Sequence, residues 1–257
     1  MNSNAAIPSL PVKRTIIKPG TAITRYINTN SGQAGIAYLY KVVHKNLAAQ
    51  NSATVCFIIL PLQKKINGFI KRAIDIFFSL IVITGVLWWL VPVMAVLIKA
   101  GSRGPVFFLQ KRNKQNGDVF TCIKFRSMVV NAGADILPAE QNDKRITGLG
   151  KIIRKTFIDE LPQFINVLLG DMSVIGPRPH MLSENLKFEE QVPHYSYREK
   201  VKPGITGLSQ IMGLSGAADT IQKMQDRTEV DIFYIRNWSF KLDMIILYRT
   251  IYKTFGW

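Results

Sequence analysis

Twenty-three consecutive residues without a charge, Ile76 to Ile98 (IFFSLIVITGVLWWLVPVMAVLI), constrain this chain more than any other feature. As a straight helix at ~1.5 Å per residue they would extend roughly 34 Å, about the hydrocarbon thickness of a bilayer. Basic residues gather on both sides: Lys64, Lys65, Lys71 and Arg72 before the run, and Lys99, Arg103, Lys111, Arg112 and Lys114 after it. A spanning helix is expected to have lopsided basic flanks, so basic residues at both ends predict that both ends face the cytoplasm. Pro92 lies inside the run, where it removes a backbone hydrogen bond and kinks a helix. The expectation is a re-entrant helix that breaks near Pro92 and leaves on the side it entered, with a single spanning helix as the alternative. Asp75 stands just before the run. A lone carboxylate near a membrane needs a partner, and Lys71 and Arg72, one turn back, are expected to supply an anchor ion pair.

The chain has 257 residues, is 47% apolar and carries a formal charge of +16. Such a charge needs an acidic partner: nucleic acid, an anionic membrane surface or a phosphorylated substrate. With basic residues flanking a long apolar segment, anionic membrane lipids and phosphate come before nucleic acid, which is not expected. Residues 1–62 read as an extension without recognisable chemistry. Met1 to Gly20 is broken by Pro8, Pro11 and Pro19 and lacks the apolar core of a signal peptide. Ala34 to Ala49 is expected to be a short helix, and Thr54 to Leu62 is too short to span a bilayer. Residues 63–257 read as one domain, with a membrane helix at about 69–99 and a globular part at 100–257. The two cysteines, Cys56 and Cys122, form no metal-binding cluster or disulfide framework and fit a reducing, cytosolic-facing location.

After Gly101 the pattern turns globular. Pro105 to Gln110 and Val119 to Lys124 read as strands joined by a turn-rich Asn113 to Asp118, which predicts a hairpin. Helices are expected over Lys144–Lys155, Glu160–Leu169, Ala218–Asn237 and Leu242–Phe255, with Ser173 to Ile175 extended. Leu242–Phe255 is amphipathic, fit either to lie on an anionic membrane or to close a core. The fold class is therefore α+β and helix-rich, with a small β-hairpin and amphipathic surface helices around a membrane-associated catalytic domain.

Asp159-Glu160, in TFIDELPQFINVL, is the first candidate for chemistry. One reading is structural: Asp159 caps a helix and Glu160 complements its dipole. The other uses the same geometry, because a helix start welcomes phosphate, and a carboxylate there can bind Mg²⁺ or attack phosphorus. Neighbouring helical residues point about 100° apart, so one nucleophile and one metal ligand is a natural division. In Gly176-Pro177-Arg178-Pro179, two prolines stiffen the chain around one arginine and suit it to a bidentate grip on phosphate. Lys124 and Arg126, with Arg112, Arg145 and Arg154, could together neutralise a diphosphate. Pro203 to Gly207 reads as a tight turn whose glycines could admit a ligand close to the backbone. His44, His180 and His194 show no metal-ligand spacing, and no P-loop, dinucleotide fingerprint or nucleophile elbow is present.

In order, the segments KRAIDIFFS, GPVFFLQKR, FTCIKFRSM, RITGLGKIIRK, DELPQFINVLLGDMSVIGPRP and KPGITGLSQIMG resemble the bacterial sugar transferase family, the monotopic polyprenyl-phosphate sugar-1-phosphate transferases. The resemblance runs from about Leu62 to the C-terminus. It is nearest to the catalytic region of longer, glucose- or galactose-type initiating enzymes of exopolysaccharide synthesis, without their multispan N-terminal region. It implies that Asp159 attacks the sugar-bearing phosphate of a UDP-sugar and expels UMP. Polyprenyl (undecaprenyl) phosphate then attacks the phosphosugar-enzyme to give a polyprenyl-diphosphate sugar. Asp159 and Glu160 would hold Mg²⁺, and Arg178 would bind the nucleotide or its phosphates. Arg154, Lys124 and Arg126 match basic positions of the family motifs. The implied location is the bacterial inner membrane, with the catalytic part on the cytoplasmic face; a homo-oligomer is compatible with the sequence. Three departures stand out: Val91-Pro92 replaces the Ser-Pro at which the family's helix usually breaks, Trp88-Trp89 precede it, and Phe157 stands where a small polar residue is common. The alternative reading is a non-catalytic membrane scaffold.

Overall fold

The computed structural model describes residues 60–131, 133, 143–216 and 220–255. The expectations for Ala34–Ala49 and for residues 54–59 lie outside them. The apolar run sits within a helical rod, Lys65–Gly101, long and apolar enough to cross a membrane. It comprises α1 (Lys65–Val82), a π-helical turn (Ile83–Leu87) and α2 (Trp88–Gly101). The rod continues through Pro92, and its departure from α geometry lies one turn earlier. Pro92 cannot donate to the carbonyl four residues back, that of Trp88, and its ring crowds that carbonyl. The widened turn, with the Trp88 N–H reaching Ile83 O, stands where such crowding would be absorbed.

The globular part follows: β1 (Phe107–Asn113), β2 (Val119–Phe125), α3 (Gly148–Lys155), a 3-10 turn (Ile158–Glu160), α4 (Gln163–Leu169), β3 (Ser173–Ile175), α5 (Leu182–Glu189), β4 (Gly204–Thr206), α6 (Leu208–Ile211), α7 (Ile221–Arg236) and α8 (Phe240–Phe255). The helix-rich α+β class and the hairpin are as expected. β1 and β2 pair antiparallel, with Gln110 opposite Cys122, and β1 runs on to Asn113. Their link uses Asn116 (φ 63°) and Gly117 (φ 81°), the left-handed region that Asn and Gly adopt most readily.

A second sheet was not foreseen. Pro203 to Gly207 contains β4, which pairs parallel with β3. The glycines there serve backbone-to-backbone approach: a Cβ on Gly204 would lie 2.1 Å from the Gly176 nitrogen, and one on Gly176 would lie 2.6 Å from Lys202 O. The Gly176 N–H donates to Thr206 O and the Gly204 N–H to Pro177 O, each at 2.8 Å. The chain entering Pro177–Pro179 is thus fixed by its neighbour.

One stripe of the rod faces the globular part along its length. Lys71, Asp75 and Ser79 of α1, Leu87 of the π turn, and Leu90, Met94 and Ile98 of α2 are buried. The α2 half is apolar and packs with Phe125 and Ile153. The α1 half is polar, and its contacts differ from the expected anchor pair. Lys71 Nζ donates to Asp243 Oδ2 at 2.6 Å, and Asp243 also accepts from Tyr234 Oη (2.8 Å) and Trp238 Nε1 (3.0 Å). Asp75 Oδ1 instead accepts from the Ser173 hydroxyl and the Val174 N–H, both at 2.9 Å. Arg72 donates to Val167 O (2.6 Å) and Leu168 O (2.7 Å), where the free carbonyls of the α4 C-terminus favour a cation. The sequence pairing fails because these partners lie far along the chain. Opposite the stripe, Phe77, Trp88 and Val96 are exposed. In α8, Leu242 and Ile246 are buried while Tyr248, Ile251 and Tyr252 are exposed, so the helix is amphipathic as read.

Removing one partner of a buried ion pair strands the other charge and costs about 3–5 kcal/mol. Asp243→Ala should lower unfolding free energy by about that amount, measured by chemical denaturation in detergent, and Lys71→Met/Asp243→Leu should recover much of the loss. A change below about 1 kcal/mol for Asp243→Ala would mean that this contact does not hold the rod.

Candidate active site

The carboxylate pair owes its position to a reversal after α3. Thr147 caps α3, its Oγ1 accepting from the Gly150 N–H at 2.9 Å. Phe157 then takes a left-handed φ of 58°, and the 3-10 turn Ile158–Glu160 follows. α4 begins only at Gln163, with Pro162 at the cap position and no side-chain cap. Neither carboxylate is therefore spent on capping. Both side chains are buried and line a cleft of about 740 Å³, within the range of small-molecule sites, about 300–1,000 Å³.

The two carboxylates meet different surroundings. Glu160 Oε1 accepts from Lys124 Nζ at 2.7 Å and from Arg178 Nη2 at 2.5 Å, and Oε2 accepts from Arg178 Nη1 at 3.1 Å. Burial alone would raise this carboxyl, but the Arg178 and Lys124 charges and their hydrogen bonds outweigh it and hold it well below the usual carboxylate range. Asp159 has no hydrogen-bond partner among the described residues. Burial, and then the Glu160 charge, push it from the ordinary 3.8 up to about 6, against the pull of Lys124, Arg154 and Arg178. At neutral pH Glu160 is a fixed anion held by two cations. Asp159 is an ionised carboxylate whose lone pairs are free.

The cleft gathers most of the expected residues and uses them differently. Arg112, Lys124, Arg126, Arg154, Arg178, Asp159 and Glu160 all line it, and Arg145 is not among its walls. Arg145 makes a fork with Asp143, its Nη2 reaching Oδ2 at 2.6 Å. Arg126 donates to Arg103 O (2.5 Å) and Ser102 O (2.8 Å), bracing the chain where α2 ends. Arg112 donates to Gln110 Oε1 at 2.6 Å and to Pro179 O, tying β1 to the proline clamp. Arg154 makes one long contact, 3.4 Å to the Ser127 hydroxyl. It is the least engaged cation of the set.

Behind Arg178 lies a network that sequence reasoning missed. Arg198 donates from Nε to Asp231 Oδ2 at 2.8 Å and from Nη2 to Arg178 O at 2.7 Å. His180 sits against Arg198, Arg227 and Tyr195. Its place directly after the proline clamp was a usable signal. Arg198 and Arg227 offered none, being single cations in a basic chain whose partners are remote.

The Asp159–Glu160 arrangement is one that phosphoryl-transfer chemistry can use. The model of the family described as bacterial sugar transferase matches residues 66–256. A UDP-glucose:undecaprenyl-phosphate glucose-1-phosphate transferase of Klebsiella pneumoniae is 47% identical over 194 residues, which cover 74% of this chain and 41% of that protein. A protein of the same name from Caulobacter vibrioides is 38% identical over 192 residues, covering 74% of this chain and 72% of that one. A UDP-N-acetylgalactosamine-undecaprenyl-phosphate N-acetylgalactosaminephosphotransferase of Aeromonas hydrophila is 44% identical over 193 residues, covering 74% and 44%. The chain thus spans less than half the length of the Klebsiella and Aeromonas proteins. With its family model matched from residue 66 almost to its end, the chain belongs to the bacterial sugar transferase family.

Proposed function

We propose that this protein transfers a sugar 1-phosphate from a UDP-sugar to polyprenyl phosphate, at the cytoplasmic face of the bacterial inner membrane, as an initiating step of exopolysaccharide or capsule synthesis. The observation that carries this reading is the buried Asp159 carboxylate, open for bonding beside an anion clamped by Lys124 and Arg178. An Asp159 oxygen attacks the sugar-bearing phosphorus, a P–O bond forms, and the bond to the UMP oxygen breaks. A polyprenyl phosphate oxygen then attacks the same phosphorus, which frees Asp159 and leaves a polyprenyl-diphosphate sugar. The two displacements balance without any further reactant. Arg154, nearly free, meets incoming phosphate charge. Arg178, braced by Arg198 and the prolines, is shared between Glu160 and a nucleotide phosphate. A non-catalytic scaffold has no need of an open buried carboxylate, and nothing in the cleft favours that reading.

Mg²⁺ fits this site only together with substrate. Among the described residues no group of three or more His, Cys, Asp or Glu side chains could hold a metal. Mg²⁺ commonly takes one or two carboxylates and completes its shell with phosphate oxygens and water. Asp159, and the remaining lone pair of Glu160 Oε2, would hold it. When bound it would neutralise charge on the diphosphate.

The rod is not broken at Pro92 as expected; the docking of both its halves supports a re-entrant arrangement whose turn-back falls at Ile83–Leu87, where the α geometry departs. Its α1 half docks through Lys71 and Asp75, and its α2 half through Leu90, Met94 and Ile98, on one globular body. A helix along the bilayer normal would put its ends on opposite sides, about 30 Å apart. Exposed Val129, Val130 and Phe157 add apolar surface near the α2 end of the cleft, where a lipid phosphate would enter. Single cysteines placed at the two ends of Ile76–Ile98 should therefore both react from the cytoplasmic side with an impermeant reagent; labelling from opposite sides would sink this topology.

UMP release from a panel of UDP-sugars, with undecaprenyl phosphate and Mg²⁺, tests the reaction. Wild type should release UMP, and Asp159→Asn should release none; normal turnover by the variant would remove Asp159 from the mechanism. The same substitution carries a stability signature. A folded-state pKa raised to about 6 favours the protonated form, so its contribution is complete below about pH 4 and is lost as pH rises through 6. Asp159→Asn should therefore be more stable than wild type at pH 8, by up to about 3 kcal/mol, with no gain near pH 3.5. The acid limb of kcat/KM should fall about tenfold per pH unit below about 6. Glu160→Gln removes the anion that raises Asp159 and should shift that limb to lower pH while reducing kcat/KM about 100-fold. An unmoved limb would show that Glu160 does not set the Asp159 ionisation.

A further inference from the structure

The cleft extends past Arg178 to an end walled by Met181, Glu184, Gln210, Ser215, Gly216 and Arg227. Its chemistry differs from that of the centre. Arg227 is buried, and each of its three nitrogens is engaged: Nε donates to Leu214 O and Nη2 to Gly216 O, both at 2.9 Å, and Nη1 meets His180 Nε2 at 3.2 Å. Arg198 is engaged in the same way by Asp231, Arg178 O and His180. Burial, and then the surrounding arginines, hold His180 well below its usual range, so it is neutral. Neither arginine turns a free nitrogen toward a phosphate.

Three groups at this end have free valence: Glu184, Ser215 and the buried Gln210 Oε1, which has no hydrogen-bond partner among the described residues while its Nε2 donates to Ile205 O. Glu184, in the first turn of α5, accepts from the Met181 N–H through Oε2 at 3.3 Å. Its Oε1 has no partner among the described residues. Ser215 is exposed and its hydroxyl is likewise without a partner among them. Ser215 stands between the two carbonyls that Arg227 grips, on a loop whose Gly213 (φ 86°) and Gly216 (φ 91°) are left-handed. Arg227 thus sets the position from which Ser215 faces the cleft.

We propose that this end of the cleft seats the transferred sugar ring, and that Glu184 Oε1 and the Ser215 hydroxyl read its hydroxyl pattern. The proposal rests on the functional reading above. Unlike Glu160, Glu184 has no cation among its hydrogen-bond partners, so its charge repels the diphosphate and an uncharged part of the substrate lies here. No Phe, Tyr or Trp is among Met181, Glu184, Gln210, Ser215, Gly216 and Arg227, and both His180 ring nitrogens are engaged by arginines, whereas Phe107, Phe108, Phe125 and Phe157 also line the cleft. A nucleobase gains from stacking on such rings, so the uridine lies elsewhere and the hydroxyl-rich hexose remains. A carboxylate accepting from sugar hydroxyls makes charge-assisted bonds that an epimer cannot reproduce. Arg227 is a positioning residue for this contact.

The test measures UMP release by the full chain, with undecaprenyl phosphate and Mg²⁺, from UDP-glucose, UDP-galactose and UDP-N-acetylgalactosamine, and includes UMP as an inhibitor. Glu184→Gln keeps the acceptor to the Met181 N–H and should lower kcat/KM for the preferred sugar about tenfold or more. It should also narrow the preference between epimers and leave the UMP inhibition constant within about twofold. Ser215→Ala, on an exposed loop that tolerates change, should shift sugar preference in the same sense by about threefold. Unchanged preference in both variants overturns the proposal. Parallel weakening of UMP also overturns it, because the residues would then hold the nucleoside. If wild type releases UMP from none of the three, the functional reading falls and the sugar site falls with it; active wild type with indifferent variants overturns the sugar site alone.

Discussion

Glu160 is held between Lys124 of β2 and Arg178 of the proline clamp, and the rest of the site depends on that grip. It draws the hairpin, the 3-10 turn and the segment after β3 to one point. A buried ion cluster is weak support for stability, since desolvation offsets much of its attraction. Its effect here is electrostatic: a carboxylate whose ionisation is held well below the usual carboxylate range stands beside one that is left open. Burial and that fixed charge together set Asp159 near pH 6, ionised at neutral pH yet more basic than an ordinary aspartate. Two adjacent residues of the same chemical type thus divide into a fixed anion and a free one.

The same economy of partners joins the rod to the globular part. The α1 half buries polar groups, each with a specific acceptor or donor: Lys71 on Asp243, Asp75 on Ser173 and Val174. The α2 half buries only apolar side chains. The polar half fixes register because few alternative pairings satisfy it. The apolar half ends at Ser102 and Arg103, whose carbonyls receive Arg126 from the cleft wall. The cleft therefore begins where the apolar rod stops, and the β3–β4 pair holds the proline clamp.

Features set by local pattern were legible in the sequence. The hairpin followed from strand-like runs around a turn containing Asn116-Gly117, and α8 followed from its amphipathic pattern. Features set by distant partners were not. β4 has three residues between Pro203 and Gly207, and only β3 makes it a strand. Asp75 has two cations one turn back, yet its partners are in β3, because Lys71 finds a better-satisfied acceptor in Asp243. The residues of the site were largely visible, since the acidic pair, the clamp and most of the basic set converge on one cleft. Their assignments were less so: Arg126 and Arg112 brace backbone carbonyls, and Arg145 pairs locally with Asp143. The His180–Arg198–Arg227 network needed the tertiary fold to be seen at all.

In the proposed reaction Asp159, not Glu160, carries the phosphosugar. Incubating the protein and Mg²⁺ with a UDP-sugar labelled in its sugar-bearing phosphate, without lipid acceptor, and mapping the label by mass spectrometry tests it most directly. The expected result is one hydroxylamine-labile phosphosugar on Asp159, discharged when polyprenyl phosphate is added and absent in Asp159→Asn. Label on Glu160, or full turnover to lipid product with no labelled protein under any condition, would contradict it.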